Sequence, residues 1–289
     1  MTFLPRTLTL TLLLETICLC QQTVAPSSEP VGPVRGDDAG NYNIVNSFEL
    51  GYRFRSAGGN IGKYRSDVNF GNGIRLLGSS LTVHSREGRG RFFDEIVLNT
   101  QGLGNDPYQF ANLRVQHNRL YRYDLFWRSN DYFNPALTIA EGWHLHDTRR
   151  QWQDHDLTLL PRAPVKIIAG FSRNTQTGPA LTSGIFFDSL GREFPLFSDV
   201  SRRQTEYRLG GDLQIFGHRF IFQRGWQRFE EESPVVVPRP IAAPADPTIS
   251  LSNLRRTEPF QGDTPYWRFH LLNEKASRFA INARYSYAG

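Results

Sequence analysis

The chain has 289 residues, 39% hydrophobic and 21% charged, with a mean hydropathy of −0.44. Its 13% aromatic content is too high for a disordered chain. No apolar run beyond the N-terminus approaches the ~20 residues of a membrane helix, so a helical span is excluded. A membrane β-barrel is not, because half of each of its strands faces a polar lumen. The net charge of +5 comes from arginines spread along the chain, with lysine only at Lys63, Lys166 and Lys275. A basic patch of the kind nucleic acid requires is missing, so nucleic acid is not an expected partner.

Residues 1–25 read as a secretory signal, with Arg6 before a short apolar stretch formed by Leu8 to Leu14 and Ile17. Cleavage is expected between Cys20 and Pro26. Cys18 and Cys20 are the only cysteines and both lie in this leader. Lipidation at Cys20 is disfavoured by Leu19, where such signals want a small residue. The mature part can therefore form no internal disulfide, no Cys-ligated zinc site and no C-x-x-C-H haem attachment. Residues 26–45, rich in Pro, Gly, Ser and Asp, are expected to be a flexible lead-in.

Period-two alternation begins at residue 46. Phe48, Leu50, Tyr52 and Phe54 alternate with Glu49, Gly51, Arg53 and Arg55. Tyr121, Tyr123, Leu125 and Trp127 repeat the device against Arg122, Asp124 and Arg128. Tyr207, Leu209, Leu213 and Ile215 oppose Glu206, Arg208 and Asp212. Trp267, Phe269 and Leu271 oppose Arg268 and His270, and Phe279, Ile281, Ala283, Tyr285 and Tyr287 oppose Arg284. With weaker runs at 73–86, 91–103, 109–118, 148–160, 164–174 and 218–231, this predicts eleven strands in 46–289 and no helix. The predicted class is all-β.

The connections predict more. Long segments at 57–72, 135–147, 175–202 and 232–263 alternate with tight turns near 88, 119, 162, 217 and 276. Outer-membrane barrels show that parity, and their strands need ~9–11 residues to cross a bilayer at a tilt. The expected fold is a transmembrane antiparallel up-and-down β-barrel in the bacterial outer membrane. Its long connections gather at one rim. Eleven is an odd strand number, whereas single-chain bacterial barrels have an even one. The expectation is therefore an incomplete, N-terminal part of a larger barrel.

On that reading Glu49, Arg53, Arg55, Arg122, Asp124, Arg128, Glu206, Arg208, Asp212, Arg268 and Arg284 face the lumen. They form either a lattice of ion pairs or a surface for a partner or an anion. His144 and His146, with His155 downstream, could suggest a metal site, but no third ligand is near apart from Asp147, and they read instead as loop and strand-base residues. Gly71-Asn72-Gly73 and Gly102-Leu103-Gly104 carry no phosphate-binding pattern and read as turns. Pro234, Pro238, Pro240, Pro244 and Pro247 stiffen one long connection. Neither a catalytic constellation nor a cofactor motif stands out, which leaves a secreted β-enzyme as the weakest class.

Several segments resemble outer-membrane barrels of the MtrB/PioB type. They are Phe48-Glu49-Leu50-Gly51-Tyr52-Arg53-Phe54, Lys63-Tyr64-Arg65-Ser66-Asp67-Val68-Asn69 and Phe92-Phe93-Asp94-Glu95. Gly102-Leu103-Gly104-Asn105-Asp106-Pro107, Leu120-Tyr121-Arg122-Tyr123-Asp124 and Asn130-Asp131-Tyr132-Phe133 continue the likeness. Asp147-Thr148-Arg149-Arg150 and Gly170-Phe171-Ser172-Arg173-Asn174 complete it. The resemblance implies a sheath that houses a periplasmic multihaem cytochrome c, so that electrons cross the membrane along the partner's haems while the barrel does no redox chemistry. The mature chain lacks the N-terminal Cys-x-x-Cys of some such barrels. A diffusion porin without a cytochrome is the alternative.

The two faces make a first test. Leu209→Arg or Ile281→Arg should destabilise the protein by ~2–4 kcal/mol in lipid if the site lies near the bilayer midplane, and Arg208→Leu by less. Unfolding measured in bilayers checks this, and equal penalties on both faces would contradict the register.

Overall fold

The computed structural model describes residues 36–88, 90–135, 145–185, 192–237, 239–273 and 282–289. The leader with its two cysteines, His144 and Ile281 lie outside them. The first strands are β1 (Asp37–Ala39), β2 (Tyr42–Arg53), β3 (Gly73–Ser85), β4 (Glu95–Leu103) and β5 (Tyr108–His117). There follow β6 (Tyr121–Asn134), β7 (His146–Leu159), β8 (Val165–Ile185), β9 (Glu193–Ile215) and β10 (His218–Glu231). Short strands β11 (Val235–Val237), β12 (Ile241–Ala243), β13 (Asp246–Leu251) and β14 (Leu254–Arg256) precede β15 (Phe260–Asn273) and β16 (Asn282–Ala288).

Every long strand pairs antiparallel with the next, in the order β1 through β10, then β15 and β16. The chain is all-β with up-and-down topology, and each of the eleven expected strands has its counterpart in β2 to β10, β15 or β16. β1 and β16 are the two ends of this order and do not pair with each other among the described residues. Alternating direction sends the chain out of one edge at Arg53, Leu103, Asn134, Ile185 and Glu231. It leaves the other edge at Ser85, His117, Leu159, Ile215 and Asn273.

Three expectations need correction. The lead-in is shorter than 26–45, because Asp37–Ala39 and Tyr42–Ile44 already form a hairpin. The connection 57–72 contains a helix, α1 (Ile61–Asp67), started by Asn60, whose Oδ1 accepts the Lys63 amide at 3.1 Å. A Lys63–Asp67 pair at 2.6 Å spans its turn. Seven residues without a buried side chain give no apolar period to read. Most of 175–202 is strand, with β8 and β9 running 21 and 23 residues. Gly178, Pro179 and Pro195 resemble turn signals, yet all three keep register, as in Gly178↔Val200 and Ser183↔Pro195.

The buried apolar residues are few: Ala180, Phe194, Leu196, Val237, Ala243 and Tyr266. Five of them lie on the β8–β9 extension and the short strands after β10, where β11 pairs with β14 and meets β9 at Val235↔Ser198. Arg192 and Asp246 form an ion pair at 2.9 Å beside them. The eleven long strands thus enclose no conventional apolar core among the described residues.

At the turn edge, Asp94 ties two connections together. Its carboxylate accepts the Gly90 amide at 2.8 Å and the Asn118 amide at 2.7 Å, with His117 Nδ1 at 3.3 Å. Burial works against the charged form, but the two amides, His117 and Arg162 outweigh it and hold the carboxyl below its ordinary range. A carboxylate depressed in the folded state contributes its full stabilisation above the unfolded value of about 3.9. It loses that contribution as pH falls through the folded value. Hydrogen-exchange protection at Gly90 and Asn118 should therefore hold from neutrality to about pH 4 and decline below it. Protection independent of pH through that window would contradict the latch.

Candidate functional site

Side chains two apart along a strand share a face, and antiparallel partners share it too. Following the register from Asp124 gives Asp156, Gly170, Arg208, Gly225 and Tyr266 on β7, β8, β9, β10 and β15. The same rule puts Arg122, Arg128, Glu206, Asp212, Arg268 and Arg284 on that face, together with Glu49 and Arg53 of β2. Arg55 lies just beyond β2, where its amide donates to Asn72 Oδ1 at 2.5 Å. Ten of the eleven expected residues therefore lie on one face, here called the inner face.

These residues form a lattice rather than one cluster. Arg208 is its centre, donating through Nη2 to Asp154 at 2.5 Å and Asp156 at 2.9 Å, and through Nη1 to Ser172 at 2.5 Å. Glu206 lies 3.7 Å from the same guanidinium and accepts the Tyr266 hydroxyl. Asp212, only 4% exposed, accepts Lys166 at 3.1 Å and Arg219 at 2.7 Å. Asp124 accepts Arg114 at 2.7 Å and Arg122 at 2.6 Å. Asp106 pairs with Arg75 and, at 3.2 Å, with Arg53.

Glycine makes room for two of these long side chains. A Cβ on Gly170 would come within 2.6 Å of Arg208 Nε, and one on Gly225 within 2.1 Å of the Tyr266 ring. Both groups lie flat across a neighbouring strand because these positions have no side chain. Arg208 holds two aspartates, so Arg208→Leu leaves both without their cation, and its penalty rises toward that of Leu209→Arg. The contrast with Leu209→Arg therefore moves to the exposed Arg284, and it is equal penalties for Leu209→Arg and Arg284→Leu that would contradict the register.

The inner face also carries rings. Glu49, Phe70, Phe110, Phe126, Arg128 and Trp152 line part of a recess of about 1000 Å³. The Arg128 guanidinium sits 4.2 Å from the Trp152 ring centre. Phe70 enters from the segment after α1 and receives Arg53 at 3.7 Å.

Beside it is a polar recess of about 510 Å³ that sequence reasoning did not assign. Arg65 of α1 reaches Asp147 of β7 at 2.9 Å and covers Phe133 of β6 at 3.8 Å. Arg149 chelates Asp131 at 2.6 and 2.9 Å, and Asn69 donates to the Asp131 carbonyl at 3.5 Å. Four segments on which the family resemblance rests thus converge at one edge: 63–69, 102–107, 130–133 and 147–150. Each charge has a local partner, so the chemistry on view is a clamp of α1 onto β6 and β7. The recurring Asp and Arg in those segments were the available signal.

The histidines do not converge. His146 lies on the inner face, whereas His155 lies on the opposite one, with Nδ1 2.7 Å from the Tyr123 hydroxyl. Asp147 is taken by Arg65. No group of three potential ligands gathers a metal site among the described residues.

The other face is apolar and open. Phe48 is 68% exposed, Tyr207 56% and Leu209 52%, and Leu213, Ile215, Phe222, Trp267 and Tyr285 are exposed beside them. From Ile215 to Tyr207 the outward residues of β9 span about 27 Å at ~3.4 Å per residue. Beyond Tyr207 the same face turns polar, with Thr205, Arg203, Arg173, Gln153 and Arg228 in register. No protein-family model matches the chain, and no curated protein matches it.

Gly170→Val should displace Arg208 from Asp154 and Asp156 and destabilise the sheet by ~1–3 kcal/mol, as overpacking does. Denaturant unfolding of the variant checks this, and an unchanged midpoint would contradict the role given to Gly170.

Proposed function

We propose that the chain forms the wall of an outer-membrane β-barrel, its apolar face in lipid and its charged face toward the interior. The observation that carries this reading is the inversion of the sheet. Asp212 and Arg75 are buried in ion pairs while aromatic and aliphatic side chains stand exposed in a band. In water such a face is a large apolar patch, which soluble monomers avoid. In a bilayer it is the ordinary arrangement, and a height near 25 Å suits the hydrocarbon core. Lipid leaves unpaired strand edges without water, so β1 and β16 must each find a partner strand there.

For the interior, we favour a sheath around a protein, and specifically a periplasmic multihaem cytochrome c, over an open porin. The family resemblance names that partner, and the recess of Phe70, Phe110, Phe126 and Trp152 with Arg128 supports it. Partly exposed rings beside arginine suit a protein interface better than a water column. The barrel supplies no redox group of its own in this scheme. It insulates and positions the partner's haems.

Purification from the native membrane should bring a haem-absorbing protein with the barrel. Trp152→Ala should weaken that association by about 2 kcal/mol, as loss of an interface anchor does. Recovery without haem, with steady channel openings in a planar bilayer, would favour the porin. For topology, cysteines at Gly58 and Ala245 should react with an impermeant maleimide in intact cells, and a cysteine at Arg119 only after permeabilisation. Gly58 and Ala245 are both exposed. Equal reactivity at all three sites would contradict the alternating edges.

A further inference from the structure

Among the described residues of the exposed apolar band, one cation, Arg224, has no carboxylate beside it. Arg224 of β10 is in register with Leu209 of β9 and Trp267 of β15, inside the exposed band. Its guanidinium lies 4.1 Å from the Trp267 ring centre and 5.3 Å from that of Trp226. No carboxylate pairs with it among the described residues, although Arg228 and Arg203 nearby share Glu230 at 2.7 and 3.5 Å. Ring faces satisfy a guanidinium electrostatically but leave its five in-plane N–H donors unused. An arginine held that way on an apolar face is costly unless an anion meets those donors.

The surroundings say which anion. Ile167, Leu209, Phe222, Trp226 and Trp267 line a groove of about 590 Å³ around the Arg224 stem. Toward the turn edge the apolar face continues from Phe222 of the groove to Phe269 beside it, both exposed. Toward the other edge the face becomes polar one residue pair beyond Trp226, at Thr205 and Arg228. One end therefore suits an acyl chain and the other a charged headgroup, with paired tryptophans at the level where amphipathic rings settle. We propose that Arg224, Trp226 and Trp267 form a binding site for an anionic membrane lipid, its phosphate on the Arg224 guanidinium and one acyl chain along the groove. The site rests on the reading that this face lies in lipid.

The test uses the protein extracted in detergent and moved into phosphatidylcholine nanodiscs. These carry equal mole fractions of either brominated phosphatidylglycerol or brominated phosphatidylcholine, with tryptophan quenching as the readout. The anionic lipid should be enriched at the site about five-fold, the ratio that one arginine at a membrane surface supports. The excess quenching should vanish in Arg224→Gln and persist in Arg224→Lys. Equal quenching by the two lipids, unchanged in Arg224→Gln, overturns the lipid site while leaving the face in lipid. Absence of quenching by either lipid overturns the membrane reading beneath it. If Arg224→Gln does not fold, competition on the unaltered protein decides. Unbrominated phosphatidylglycerol must relieve quenching by brominated phosphatidylcholine more than unbrominated phosphatidylcholine does, and equal relief overturns the site.

Discussion

Arg208 bridges Asp154 and Asp156 of β7 across the strand between them, in the space that Gly170 leaves open. The rest of the sheet depends on this kind of cross-strand compensation. A face carrying so many arginines would repel itself unless aspartates stood within reach, and each inner-face cluster supplies them. Asp212 takes Lys166 and Arg219, Asp124 takes Arg114 and Arg122, and Asp106 takes Arg53 and Arg75. The charges serve one another first, and that holds their long side chains across the neighbouring strands. The apolar residues are then free to occupy the opposite face.

Such a sheet has no inside of the usual kind. Its few buried apolar residues sit mainly on the β8–β9 extension and the short strands beside it, beyond the exposed band. Stability elsewhere comes from backbone pairing along strands of 7 to 23 residues and from the inner-face ion pairs. In the membrane setting proposed above, lipid would cover the band, and burial of those rings would need no second layer of protein. The clamp of α1 onto β6 and β7 adds a tie across the edge where the long connections leave, through Arg65 to Asp147.

The alternation of residue types made the two faces legible before any coordinates. Glu206, Arg208 and Asp212 could be separated from Tyr207, Leu209 and Leu213 because a strand's period is two. What alternation cannot say is which charges meet. Asp154 and Asp156 reach Arg208 only through the register of three strands, and Gly170 and Gly225 reveal their purpose only when a neighbour lies over them. The helix α1 escaped notice because it buries nothing and so has no apolar stripe. The β8–β9 extension was missed because its outward residues beyond Tyr207 become polar, which erases the contrast that marks a strand. Arg224, a charge among apolar neighbours, is visible in the sequence as a break in the pattern with Trp226 two residues on, but its nearer ring, Trp267, lies on another strand.

On the proposed reading, one face of this sheet meets lipid and the other meets an aqueous or protein-filled interior. Spin labels placed singly along β9 in liposomes test it most directly, at Glu206, Tyr207, Leu209, Gly210, Gly211, Leu213 and Gln214. Collision with oxygen, which concentrates in lipid, and with a water-soluble nickel chelate should alternate with period two. Labels at Tyr207, Leu209, Gly211 and Leu213 should favour oxygen, and those at Glu206, Gly210 and Gln214 should not. Access of the nickel chelate to both sets alike would contradict the account.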